Sequence, residues 1–243
     1  MKDRIRPFYL AVFFLFAGMT MPVAGELAHG FVYLRDVVPD IRQDMRYASR
    51  NNFMRKRLPG YRAAECVLTE AAAKALGRVQ NAAVEAGYSL VVFDCYRPQS
   101  AVDAMVAWVR TGGGTDPAYF PKVTQDRLID QGYIGAKSSH ARGSTVDVAL
   151  DVLAGVDDLS RPFAACTRRD RDTGDFGTPF DCFDPASQTS SQAVPRRAQA
   201  LRRTLVKLMQ RGKFQNYPGE WWHFTLQGEP FPNRSFDFPI ERR

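Results

Sequence analysis

Three histidines occur in the 243 residues, so each can be weighed as a ligand or a base. His29 stands among small residues near the start and reads as a surface residue. His140 lies in Ser138-Ser139-His140-Ala141-Arg142-Gly143-Ser144-Thr145-Val146-Asp147, which sets an imidazole and a carboxylate on either side of a glycine-containing turn. His223 closes Glu220-Trp221-Trp222-His223. Two imidazoles and one carboxylate suit zinc, whose tetrahedral catalytic sites take three protein ligands and leave the fourth place for water. Water held there has its pKa lowered towards neutrality and becomes a usable nucleophile. Glu220 could take the proton from that water and pass it to a leaving amine. By spacing alone, the same residues also suit two structural histidines. Glu-x-x-His on a regular strand points its two side chains to opposite faces, so the zinc reading requires a bulge or bend between Glu220 and His223.

The elements that must position these residues follow from periodicity and turn chemistry. Residues 26–60 read as an irregular opening segment, with Phe31-Val32-Tyr33-Leu34 as an edge strand and Pro39, Asn51, Asn52, Pro59 and Gly60 as turn punctuation. Thr69 can cap a helix whose apolar positions, Leu68, Ala72, Leu76, Val79, Ala83 and Ala86, recur at helical spacing until Gly87. Tyr88 to Phe93 is an apolar, β-rich run of the kind that forms a buried strand. Pro98 suits a first helical turn, and Val102, Met105, Val106 and Val109 continue a second helix to Gly112-Gly113-Gly114. Ser144 to Val152 alternates as a strand, and Val194 to Arg211 is a third helix with Leu201, Leu205, Leu208 and Met209 on one face. The loop at 153–192 is too long for a plain connector, and such loops are usually lids or walls. A last strand region, Glu220 to Leu226, precedes a Pro- and Phe-rich tail. Strands and helices mix without regular alternation, which predicts a single α+β domain with a central antiparallel sheet.

Composition sets the class. Hydrophobic residues at 45% and charged residues at 24% are ordinary globular values and argue against disorder, a fibrous repeat or a multi-span membrane protein. Lys2, Arg4 and Arg6 precede an apolar run from Pro7 to Met19 and a small-residue site at Val23-Ala24-Gly25. Residues 1–25 therefore read as a secretory signal peptide cleaved near Gly25/Glu26, leaving a domain at 26–243 with no membrane span, in the periplasm or outside the cell. Cleavage lowers the formal charge from +7 to about +5. The remaining bases are scattered among acids, which excludes nucleic acid as a partner; the oligomeric state is not readable.

The mature chain carries four cysteines, Cys66, Cys95, Cys166 and Cys182, none in a C-x-x-C pair, an even count that fits an oxidising compartment. Of the three pairings, Cys66–Cys95 with Cys166–Cys182 is favoured: the second closes a short loop, and the first ties a helix start to the strand after it. Free buried thiols are the alternative.

At this point the residues reach a resemblance. The Ser-x-His-x-x-Gly-x-x-x-Asp block from Ser138 to Asp147, with the later Glu220-x-x-His223, resembles the zinc D-alanyl-D-alanine dipeptidases, the group that includes the vancomycin-resistance dipeptidases. Further blocks are similar in the same order: Asp44-Met45-Arg46-Tyr47-Ala48, Asn52-Phe53, Asp94-Cys95-Tyr96-Arg97-Pro98, Gly177-Thr178-Pro179-Phe180-Asp181, Glu220-Trp221-Trp222-His223-Phe224 and Phe236-Asp237-Phe238-Pro239. The likeness spans roughly residues 31–240. It implies the compact α+β core shared with lysostaphin-type peptidases and hedgehog domains, and one zinc ion per chain. It implies His140, Asp147 and His223 as ligands, Glu220 as catalytic base and Arg97 as the group stabilising the tetrahedral intermediate. A fixed guanidinium beside the metal pairs with oxyanion charge as it develops. Tyr47, Ser138 and Asp181 match positions that hold the free amino terminus of the dipeptide, where a carboxylate pairs with the ammonium and selects against longer peptides. Trp221, Trp222 and Phe224 read as wall and core.

Two features depart from the family pattern. Cys95 and Cys182 adjoin the Tyr-Arg-Pro block and Asp181, so the bridges would brace substrate-side segments in an exported version of the fold. An insertion at 153–176, around Arg168-Arg169-Asp170-Arg171-Asp172, is longer than the family pattern and bears on which peptides enter. The implied activity is hydrolysis of D-Ala-D-Ala. A D,D-carboxypeptidase trimming wall stem peptides is the alternative, and a zinc-stabilised binding module without turnover is a third reading, disfavoured by the intact Glu220 and Arg97.

Overall fold

The computed structural model describes residues 27–153, 165–168, 170 and 173–243. The expected signal peptide, and residues 154–164, 169, 171 and 172 of the expected insertion, lie outside them. In chain order the elements are β1 (Phe31–Tyr33), α1 (Leu34–Val37), β2 (Arg42–Gln43), β3 (Val67–Thr69), α2 (Glu70–Glu85), β4 (Tyr88–Asp94), α3 (Gln99–Arg110), β5 (Thr145–Val152), α4 (Arg196–Arg211), β6 (Phe214–Asn216) and β7 (His223–Leu226).

β4 and β5 form the centre of a five-stranded sheet of order β2-β4-β5-β7-β6. Leu90, Val91, Val92 and Phe93 are fully buried, as an apolar run covered on both faces must be. α2 packs on β4, and α4 packs on α2 and β6. Thr69 caps α2 by accepting from the Ala72 amide at 3.3 Å, and Ala72, Leu76, Val79 and Ala83 are buried along one face. β1 and β3 make a separate two-stranded antiparallel ribbon.

The α+β class holds, but the sheet is mixed, not purely antiparallel. β2 runs parallel to β4, pairing Arg42 with Val91 and Gln43 with Val92. A two-residue strand carries no readable alternation, and its parallel sense comes from the long crossover through β3 and α2. The expected helix at Val194 begins instead at Arg196, because Pro195 is extended at the cap position. The expected strand from Glu220 shortens to His223–Leu226, and the three residues before it form a bend.

The described part of the 153–192 loop is a packed wall. Phe180 stacks on Phe93 of β4 with ring centroids 4.7 Å apart, and Phe176 stacks on Trp221 at 4.0 Å. Disulfides join Cys66 to Cys95 and Cys166 to Cys182, the favoured pairing. Among the described residues no helix is long and apolar enough to cross a membrane.

Candidate active site

The sheet register brings the polar residues together. Asp94 at the end of β4 lies opposite Asp147 on β5, after a register shift, and Asp147 lies opposite His223 on β7. Three strands thus present three polar groups in a row. His140 comes from a short 3-10 turn, Ser139–Arg142, capped by Ser138 Oγ, which accepts from the His140 amide at 3.3 Å. Gly143 ends that turn with φ 81°, and a Cβ there would stand 2.1 Å from the Phe31 ring, so only glycine fits.

His140 Nε2, Asp147 Oδ1 and His223 Nδ1 lie 3.1–3.2 Å from one another. Ligand atoms about 2.0–2.2 Å from a tetrahedral ion stand about 3.4 Å apart, so this spacing fits a small divalent metal after slight expansion. The remaining ring nitrogens agree. His140 Nδ1 donates to the Cys95 carbonyl at 2.7 Å, which leaves Nε2 as the lone-pair nitrogen, and His223 Nε2 lies 3.1 Å from Ser139 Oγ, which leaves Nδ1. Burial pushes the Asp147 carboxyl up, but the two imidazoles outweigh it and hold that carboxyl well below the usual range. These three residues are able to hold a metal ion.

Around them stand the expected catalytic groups. The bend that the Glu-x-x-His spacing required is present, closed by a hydrogen bond from the Glu220 amide to the Tyr217 carbonyl at 3.1 Å, and it turns Glu220 Oε2 to 3.7 Å from His223 Nδ1. Burial pushes the Glu220 carboxyl up to about 7, with His223 opposing and Asp147 adding. A carboxyl in that range is poised to exchange protons near neutrality. Arg97 is fixed from several sides: its Nε donates to Asp94 Oδ2 at 2.9 Å, its Nη2 lies 3.6 Å from Asp147 Oδ2, and its guanidinium carbon sits 4.8 Å over the Tyr47 ring.

Tyr47, Ser138 and Asp181 line the same cleft, about 230 Å³ in volume. The Tyr47 hydroxyl lies 3.2 and 3.1 Å from the two Asp181 oxygens, which identifies it as the donor to that carboxyl. Asp181 is buried at φ 59°, and burial, followed by the Asp147 charge, raises its carboxyl well above the aspartate range. Trp221, Trp222 and Phe224 are buried, and Trp222 forms part of the cleft wall. His29 is exposed and apart from the cleft.

With this geometry, comparison with known proteins decides the family. Residues 27–241 match the family described as D-Ala-D-Ala dipeptidase. A D-alanyl-D-alanine dipeptidase of Streptomyces coelicolor is 37% identical over 215 residues, 86% of this chain and 98% of its own. The Enterococcus faecalis D-alanyl-D-alanine dipeptidase is 34% identical over 219 residues, 88% of this chain and 100% of its own. One from Escherichia coli is 31% identical, over 83% of this chain and 87% of its own. The chain belongs to the D-Ala-D-Ala dipeptidase family. It is a peptidase-family hydrolase, and the resemblance read from the sequence blocks is family membership.

This dipeptidase-family site also contains residues to which the sequence reading gave no role. Asp94, fully buried, accepts from the Tyr61 hydroxyl at 2.6 Å and from Arg97, and its Oδ2 lies 3.5 Å from His140 Nδ1. It therefore orients the guanidinium and stands beside one imidazole, whose Nδ1 proton goes to the Cys95 carbonyl. The Asp-x-x-Arg spacing was a readable hint for Asp94, whereas Tyr61 reaches it from 33 residues away with no local signal. Ser139 orients the second imidazole. Tyr217, 48% exposed, stands edge-on to His223 at the cleft mouth.

Proposed function

We propose that this chain is an exported zinc dipeptidase that hydrolyses D-Ala-D-Ala to two D-alanines, with His140, Asp147 and His223 as the zinc ligands. The observation that carries the proposal is a single cleft lined by a metal-competent triad, by Glu220 with its carboxyl raised to about 7, and by a second buried carboxyl at Asp181. The names of the relatives support the substrate. Bound zinc supplies Lewis-acid polarisation of the scissile carbonyl and a lowered pKa for water.

Residues of the chain supply the rest. Glu220 takes the proton of the attacking water and delivers it to the leaving amine. Arg97, held by Asp94, offers Nη2 to the oxygen that gains charge as the carbonyl becomes tetrahedral. At the other end of the substrate, Asp181 and the Tyr47 hydroxyl accept from the ammonium, with Ser138 beside them. A substrate with an amide in place of the ammonium leaves Asp181 buried without its cation, which disfavours longer peptides. Residues 1–25 act as the export signal, and the two disulfides suit the periplasm or cell exterior.

The test is D-alanine release by the zinc-loaded mature domain from D-Ala-D-Ala and from its amino-acetylated form. Cleavage of the free dipeptide alone is expected; equal or better cleavage of the blocked form would make the enzyme a D,D-carboxypeptidase acting on wall stem peptides. Glu220→Ala is expected to keep its zinc by metal analysis while losing about 10²–10⁴-fold in turnover, and retained activity would remove Glu220 from the mechanism.

A further inference from the structure

Arg202, on α4, is fully buried, yet no carboxylate pairs with it among the described residues. Its Nε donates to the Phe176 carbonyl at 2.8 Å, its Nη1 to the carbonyls of Ala186 at 2.9 Å and Gln188 at 2.7 Å, and its Nη2 to Thr178 Oγ1 at 3.3 Å. The acid that acts on it, Asp175, pairs with Arg197. Burial pushes the Arg202 guanidinium down to about 10. Keeping a cation dry against carbonyl and hydroxyl dipoles, with no paired carboxylate, is costly, and an aliphatic side chain would fill the space without that cost.

The bonds hold one of the two chain segments that carry the chemistry and, through Thr178, meet the other. All four acceptors lie between Phe176 and Gln188, the stretch that holds Asp181. Thr178 Oγ1 also accepts from Trp221 Nε1 at 2.9 Å, beside Glu220. Ser187 Oγ lies 3.0 Å from Thr178 Oγ1 and 2.6 Å from the Cys182 carbonyl, next to Asp181. The Trp221 amide donates to the Ser187 carbonyl at 3.0 Å, so the two segments are also joined directly.

We infer that Arg202 is a positioning residue that, through Thr178, sets the separation between the Asp181 carboxyl and the Glu220–His223 pair, and so the length of peptide the cleft accepts. The inference rests on the dipeptidase reading above, in which Asp181 takes the ammonium and Glu220 serves the scissile bond. A rigid guanidinium fork suits this task because its donors are coplanar and hold several acceptors at fixed angles, which an ammonium on a flexible stem cannot do.

The experiment uses the zinc-loaded mature chain with Thr178→Val, Thr178→Ser and Arg202→Met, measuring kcat and KM for free and amino-acetylated D-Ala-D-Ala alongside metal content and melting temperature. Thr178→Val removes the shared acceptor at nearly constant volume. It is expected to load metal and keep kcat on the free dipeptide within a few-fold, while KM rises about tenfold and the preference for the free form falls in step, since small misplacements of a bound end cost about 10–100-fold. Thr178→Ser, which keeps the hydroxyl, should restore the wild-type preference. Folded Arg202→Met should show the larger loss of preference; if it does not fold, the Thr178 pair decides. A Thr178→Val protein that folds with wild-type preference, or that fails to fold or load metal, overturns the inference, since the cluster is then structural alone. A wild-type enzyme with no preference between the two substrates removes the Asp181 reading itself, which distinguishes that failure from this one.

Discussion

Asp181 adopts left-handed backbone at φ 59° in a buried stretch, a conformation costing a non-glycine residue about 1–2 kcal/mol. Burial, and then the Asp147 charge, raise its carboxyl well above the usual range. The folded chain therefore holds that proton more tightly than the unfolded chain, and stability is lost as pH rises from the ordinary aspartate value of about 3.9 through the folded-state value. Asp181→Asn should accordingly melt higher than the wild type at neutral pH, with the gap closing as pH falls through the folded-state value towards about 3.9; thermal melts across pH check this, and a lower neutral melting temperature would contradict it. The same substitution should raise KM for the free dipeptide about 10–100-fold, the value of one charge-assisted hydrogen bond, and leave the acetylated form unaffected in steady-state assays. The reading from sequence reached this residue through its family block. It could not reach Tyr61, because what joins Tyr61 to Asp94 is a contact across the fold and not a spacing along the chain.

At the level of elements, the long periodic segments and the short strands β1 and β7 were legible, and β2, β3 and β6 were not. α2, α3 and β4 lie within a residue of their expected bounds, since each carries enough apolar repeats to fix its face. β2 and β6, of two and three residues, exist only because longer neighbours offer free edges, and no local pattern marks them. The Cys66–Cys95 disulfide acts at this scale too. It fixes the start of β3 to the residue after β4, and the Cys95 carbonyl is the group that holds His140 Nδ1. Replacing both cysteines by alanine should cost about 3–4 kcal/mol of stability from the 29-residue separation. It should also weaken metal retention, at most to the 10–100-fold that loss of an orienting partner costs. Chelator competition at a temperature where the variant is folded separates the two effects, and unchanged metal affinity would show that the carbonyl is held without the bridge.

Across the whole molecule, the carboxyl-terminal tail clamps the residues that precede it in space. Phe238 stacks on Tyr96 at 4.2 Å, its amide donates to the Tyr96 hydroxyl at 2.9 Å, the Phe236 amide donates to the Ala141 carbonyl, and Ile240 is fully buried. Tyr96 and Ala141 flank Arg97 and His140 in sequence, so the tail braces both. Removing residues 236–243 exposes the sites of two buried apolar side chains, worth about 3–6 kcal/mol, and should lower the melting temperature by about 10–20 °C; calorimetry on the truncated chain measures it, and an unchanged melt would mean the tail is ornamental. The register of the central strands has a further consequence. Asp94, Asp147 and His223 are direct neighbours across β4, β5 and β7, and a slip of one residue in any of these pairings turns its side chain to the opposite face. Asp147 and His223, two of the three proposed ligands, therefore face each other only after β5 and β7 have zipped in one alignment. A metal ion held there would act as a proofreader of assembly, retained by the correctly aligned chain and released by every misaligned one.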